Sequence, residues 1–147
     1  MTKKAGTEGR TSEPVAGEKG PLVLIVDDVH DNRTIYVLFL KFSGFRIAEA
    51  ENGEEALRQA EKLLPDVIVM DLSLPVMDGW EATRRLKRDP RTKRIPIVVL
   101  TGHALPEHAR AARDAGCDLV ITKPCLPDQL LEAIRGILYP PKARSKG

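Results

Sequence analysis

Cysteine, aromatic residues and long apolar runs are all scarce in this 147-residue chain. Two cysteines, Cys117 and Cys125, are too few and too close in sequence for a disulfide framework or a zinc site, and they read as small packing residues. Aromatics make up 4% of the chain, so any core must be mostly aliphatic. No apolar run approaches the roughly 20 residues that a membrane-crossing helix needs. The first twenty residues hold no apolar stretch of the kind a secretory leader carries, so the cytoplasm is the expected address, with no membrane partner. A strong excess of one charge is lacking too. The net charge is +2, but residues 21–139 hold 16 basic and 18 acidic side chains, so the positive excess sits at the two ends. A nucleic-acid-binding domain carries that excess on the fold itself, which argues against direct nucleic-acid binding. Finally, G-x-x-x-x-G-K-[ST], G-x-G-x-x-G and G-x-S-x-G do not occur, so the chain has no nucleotide cradle of these kinds.

What is present is the composition of one globular domain, 42% apolar and 30% charged. Residues 1–20 offer almost nothing to bury and read as a disordered arm; residues 140–147 read as a flexible basic tail. Between them strands and helices alternate. PLVLIVDD is a continuous aliphatic run, as in a strand covered on both faces. A helix capped by Asp31 follows to about Ser43, with Ile35, Leu38, Phe39 and Phe42 on its apolar stripe and Gly44 as its stop. FRIAEA is the second strand, and Asn52 opens a helix carrying Ala56, Leu57, Ala60 and Leu63/Leu64. DVIVMD is the third strand, followed by a basic helix from Trp80 to about Arg88, with Asp78 as its N-cap. IPIVVLT and CDLVITK are the fourth and fifth strands. Helices from Pro106 to Gly116 and from Pro127 to Leu138 follow them, the last with Leu130, Leu131, Ile134, Ile137 and Leu138 facing inward. Five such repeats predict an α/β domain over 21–139, a doubly wound (βα)5 with a five-stranded parallel sheet.

Ligands of such sheets bind at the C-terminal edge of the strands. There the first strand ends in Asp27 and Asp28, the third in Asp71, the fourth in Thr101 and the fifth in Lys123, while Glu51 after the second strand has no evident partner. Three carboxylates gathered together repel unless a cation joins them, and a site of oxygen ligands with room for water favours Mg²⁺. Thr101 can donate to a phosphoryl oxygen, Lys123 can pair with another, and a central Asp can serve as nucleophile. With no nucleotide cradle, the phosphoryl group must come from another molecule.

In the motifs LIVDD (24–28), VMDLSLPVMDG (69–79), VVLTGHA (98–104) and AGCDLVITKP (115–124), the chain resembles the receiver domain of two-component response regulators over about residues 21–139. The resemblance implies a flavodoxin-like fold and a phosphoacceptor at Asp71, charged by a histidine kinase or a histidine phosphotransfer protein. It implies Mg²⁺ bound by Asp28, Asp71 and the main-chain carbonyl of Ser73, with Asp27 acting through water. Thr101 would reach the arriving phosphoryl group and Lys123 would brace it. A cis peptide before Pro124 and a loop shaped by Pro75 and Gly79 are also implied. The expected role is a single-domain signalling switch or phosphorelay intermediate that binds a downstream target protein. It is not an enzyme, apart from slow loss of its own phosphoryl group.

Two positions depart from that family. Val120 stands where an aromatic usually takes part in switching, and Cys125 follows the Lys-Pro pair where Phe is common. Coupling is therefore expected to run through Thr101 and residues 102–106 without an aromatic gate, and a receiver-fold scaffold with phosphorylation-independent output is the alternative. A haloacid-dehalogenase-type phosphatase would need D-x-D after the first strand, and a flavodoxin a hydroxyl-rich phosphate loop there; this chain has neither. His103 reads as a solvated loop histidine and Trp80 as a packing residue. The stretch RRLKRDPRTKR (84–94) reads as a solvated basic face, with partner docking as the remaining reading.

Overall fold

A computed structural model describes residues 20–72, 77–102 and 106–140, with the side chains of residues 106–109 and 112 left aside. The expected arm and tail fall outside this range except for Gly20 and Pro140. The elements run β1 (Leu22–Val26), α1 (His30–Phe42), β2 (Arg46–Ala50), α2 (Gly53–Leu63), β3 (Val67–Asp71), α3 (Gly79–Arg88), β4 (Ile97–Thr101), α4 (Pro106–Ala115), β5 (Leu119–Thr122) and α5 (Pro127–Leu138). All four strand pairings are parallel, in the order β2-β1-β3-β4-β5. The fold is the doubly wound (βα)5 sheet that the alternation predicted, with the flavodoxin-like strand order that the resemblance implied.

Successive strand residues face opposite sides, so β1 to β4 each feed two cores. Leu22, Leu24, Val26, Ile68, Met70, Ile97 and Val99 pack toward Ala56 and Ala60 of α2 and Ala82 and Leu86 of α3. Val23, Ile25, Val67, Val69, Val98 and Leu100 pack toward Val37 and Leu40 of α1 and Leu130 and Ile134 of α5. Strands fully buried in this way read as unbroken aliphatic runs, which is why β1, β3 and β4 are plain in the sequence.

Local chemistry explains most boundaries. Asn52 caps α2 by accepting from the Glu55 amide at 2.8 Å, and Asp78 caps α3 by accepting from Glu81 at 2.9 Å. Gly116 follows α4 at a φ of +101°, where a side chain would be strained. Gln129 closes the start of α5 by accepting the Leu126 amide at 2.9 Å.

Helix α1 corrects the sequence reading twice. Its N-cap is Val29, and Asp31 lies inside the first turn; the carboxylate of Asp27 accepts the Val29 amide at 2.8 Å, and the helix starts two residues earlier than a cap at Asp31 would place it. Its buried face is Arg33, Val37 and Leu40, whereas Ile35, Leu38 and Phe42 are 55%, 63% and 92% exposed. The two stripes differ by two positions, or about 200° around the helix. The apolar pattern misleads because an arginine occupies the inner face. Leu64 also falls outside α2, as an exposed left-handed residue at its end.

Candidate functional site

Parallel strands deliver their last residues to one rim. Asp27 follows β1 directly and is 2% exposed; Asp71 ends β3 and is 3% exposed; Thr101 ends β4 and is buried; Asp28 is open to solvent. One carboxylate oxygen from each of Asp27, Asp28 and Asp71 lies within 4.8 Å of the others. The Lys123 ammonium, just past β5, donates to Asp71 Oδ1 at 3.1 Å, and its amide donates to the Thr101 carbonyl at 2.7 Å. Four of the side chains expected at the rim, Asp27, Asp28, Asp71 and Lys123, therefore come together, with Thr101 buried at the end of the neighbouring strand.

The local fold holds this geometry. The Asp27 amide donates to the Ala50 carbonyl at 3.1 Å, and Arg33 donates to the Asp27 carbonyl at 2.7 Å. Gly79 opens α3 so close to the end of β3 that a Cβ there would sit 2.5 Å from the Asp71 carbonyl oxygen and 2.8 Å from Leu72 Cα. The expected role of Gly79 in shaping the turn after Asp71 thus has a steric basis. The Lys123–Pro124 peptide is cis. Ser73, Pro75 and His103 lie outside the described residues, as does most of the 102–106 loop.

Burial raises the pKa of Asp27; the Val29 amide opposes this, and the charge of Asp71 adds to it. A buried carboxylate beside a like charge favours either a proton or a metal cation. Three oxygen donors in reach of one another, one on an exposed residue that leaves room for water, fit a hard divalent ion such as Mg²⁺. The lysine on Asp71 Oδ1 adds a point charge suited to an anionic phosphoryl group.

Two residues of this region escaped the sequence reading. Arg33 is buried, its guanidinium shared among the Asp27 carbonyl, Glu49 at 2.9 Å and Glu51 at 3.8 Å, which supplies the partner that Glu51 lacked. Tyr36 donates its hydroxyl to the Cys125 carbonyl at 2.7 Å. Burial, with Cys125, Asp27 and Asp71 adding to it, pushes that hydroxyl up to about 12. The helical spacing Arg33, Tyr36, Val37 and Leu40 was the available signal; it is the true inner stripe. A cleft of about 530 Å³ opens beside the rim, lined by residues that include Asp27, Tyr36, Lys123, Cys125 and Leu126.

A family model described as the response regulator receiver domain matches residues 23–135. The chain belongs to this family. Among its relatives, the polar-differentiation response regulator DivK of Brucella anthropi is 34% identical over 116 residues, which cover 79% of this chain and 94% of DivK. The chemotaxis response regulator CheY4 of Vibrio cholerae superposes with a TM-score of 0.77 at 32% identity, covering 82% of this chain and all of CheY4. The receiver domain of a sensor histidine kinase from Pseudomonas aeruginosa superposes with a TM-score of 0.74 at 32% identity, covering 80% and 96% of the two chains. That structure has a magnesium ion coordinated in its active-site cleft.

Outside the rim, several charged and packing residues find partners within the chain. In the basic stretch, Arg84 and Arg85 pair with Glu81 at 2.9 and 2.8 Å, Arg91 with Glu61 at 3.2 Å and Asp89 at 2.8 Å, and Lys87 with Asp118 at 3.0 Å. Cys125 is buried, Cys117 and Trp80 are half-buried against the core, and burial raises both thiols. Val120 sits half-buried in β5, opposite Val99.

Proposed function

We propose that this receiver domain, spanning residues 21–139, is a phosphorylation-controlled switch or relay element that takes a phosphoryl group onto Asp71 from a histidine kinase or a histidine phosphotransfer protein. The observation that carries the reading is the meeting of Asp27, Asp28 and Asp71 with Lys123 bonded to Asp71 at 3.1 Å. Asp28, Asp71 and the main-chain carbonyl of Ser73 would hold Mg²⁺, with Asp27 acting through water; when bound, the ion supplies the positive charge that lets the carboxylates coexist and that offsets a phosphoryl group's charge. An Asp71 carboxylate oxygen forms the new P–O bond as the P–N bond of the donor phosphohistidine breaks, and the departing imidazole keeps the electron pair and takes up a proton. Lys123 neutralises one phosphoryl oxygen, and the Thr101 hydroxyl donates to another. Arg33 keeps the end of β1 in place throughout.

The output is binding of a downstream protein rather than turnover of a substrate, and the site of action is the cytoplasm. Local ion pairs on α3 support a reading without direct nucleic-acid contact, and among the described residues no helix is long and apolar enough to cross a membrane. Intact mass after incubation with a small phosphodonor tests the reading. One phosphoryl adduct that requires Mg²⁺ and is lost in Asp71→Asn is expected; an adduct in Asp71→Asn refutes the assignment. Val120 favours a second reading, a scaffold whose partner binding ignores phosphorylation, and no adduct with either a small donor or a phosphohistidine donor would support it.

A further inference from the structure

We infer that Tyr36 is a positioning residue for the phosphoryl site, a hydroxyl on α1 that sets Lys123 against Asp71 by clamping the main chain two residues beyond the lysine. The inference rests on the proposed role of Asp71 and adds a residue that acts through another. Lys123 is held on one side by its amide bond to the Thr101 carbonyl at 2.7 Å. The next residue, Pro124, has no N–H to give, and the helix α5 begins only at Pro127. Leu126 is tied forward into that helix, through its amide to Gln129 and its carbonyl to the amides of Gln129 and Leu130. Cys125 stands between these anchors, and its carbonyl takes the Tyr36 hydroxyl at 2.7 Å from an element 89 residues away in sequence.

That bond crosses from α1 to the strand-end loop alongside the cleft, whose lining includes Asn32, Ile35 and Tyr36 of α1 and Lys123, Pro124 and Cys125 of the loop. The Cys125 side chain is buried in the α1–α5 core and the Tyr36 ring packs against the same core, so the phenol adds a polar tie to the main chain where the side chain supplies only packing. The hydroxyl stays protonated across the working pH range and so remains a donor. Loss of the clamp frees the Cys125 carbonyl to move, and the lysine stem two residues earlier moves with it. Asp27 is held by bonds that do not involve Cys125, from its amide to the Ala50 carbonyl and from Arg33 to its own carbonyl.

The test is Tyr36→Phe, which removes the hydroxyl and keeps the ring. Phosphorylation by acetyl phosphate at saturating Mg²⁺ should slow about 5-fold, the weight of one net hydrogen bond. Mg²⁺ affinity, read by Trp80 fluorescence, should stay within about 2-fold, since a general loosening of the rim would shift it as well. In a Lys123→Ala background the same substitution should have no further effect on the rate, because the side chain it positions is gone. An unchanged rate in Tyr36→Phe, or an equal slowing in the Lys123→Ala background, overturns the role while leaving Asp71 as acceptor. Wild-type protein that forms no adduct at Asp71 overturns the reading of the site and this role with it.

Discussion

At the entry end of the sheet, the carboxylates of Asp66 and Asp118 each accept the first amide of a neighbouring strand at 2.8 Å, from Leu22 and Ile97, while their own amides donate back to the same residues' carbonyls at 2.8 Å. Asp118 also meets Lys87 at 3.0 Å. At the exit end, Asp27, Asp28 and Asp71 crowd within 4.8 Å, with one lysine on Asp71. The same side chain thus serves opposite ends. A carboxylate matched to amides and a cation fastens a strand. A carboxylate buried among its own kind stores repulsion that a proton or a divalent ion relieves. The first kind stabilises the fold; the second costs stability and makes a site.

The largest effect is expected where the rim is packed to contact. Gly79→Ala should destabilise the protein by about 3 kcal/mol in urea unfolding, because its Cβ would press on the Asp71 carbonyl. Gly102→Ala, with no atom of the described residues within 4 Å of its Cβ position, should change stability by less than about 0.5 kcal/mol. Equal costs for the two would remove the close approach from the account. At the entry end, Asp118→Ala should cost about 1.5 kcal/mol through the lost Ile97 bond and the lost lysine pair.

The exit end should behave with the opposite sign. Asp27→Asn should raise the stability of Mg²⁺-free protein at pH 7 by about 1 kcal/mol. The folded protein holds the Asp27 proton more tightly than the unfolded chain does, for which the ordinary value of 3.8 applies. Its stabilising contribution is therefore complete below that value and disappears as pH rises through the folded one. Thermal melts across this window should show the variant's advantage growing with pH; a constant or shrinking advantage would contradict the burial cost. The smallest effect belongs to an exposed pair. Hydrogen bonds from Arg85 and Arg84 hold the Glu81 carboxyl below 4.5, so its NMR titration midpoint should rise in Arg85→Ala and in high salt, with little change in melting.

Much of this was legible because the rim is a property of topology. Once β1, β3, β4 and β5 are read as parallel, the residues that end them must meet, and Asp27, Asp28, Asp71 and Lys123 do. Capping chemistry fixed Asn52 and Asp78, and α5 runs from Pro127 to Leu138 as its spacing indicated. The failures share one cause. On α1 the inner face includes a charged residue whose guanidinium is fully engaged by long-range partners, Glu49 and the Asp27 carbonyl, and no local pattern announces that. The apolar spacing instead picks out Ile35, Leu38, Phe39 and Phe42, of which only Phe39 is half-buried, and Tyr36 lies two turns from any recognisable motif. Asp31 has the residue type of a cap, but the helix begins at His30 after Val29, whose amide the Asp27 carboxylate accepts from outside the helix.

The claim that the exit-end carboxylates form a cation site, while those of the entry end do not, is tested most directly by calorimetric Mg²⁺ titration of three proteins: wild type, Asp28→Asn and Asp118→Asn. The account predicts one Mg²⁺ bound by wild type and by Asp118→Asn, and at least a 10-fold loss of affinity in Asp28→Asn. Binding that survives in Asp28→Asn, or that falls equally in Asp118→Asn, would contradict it.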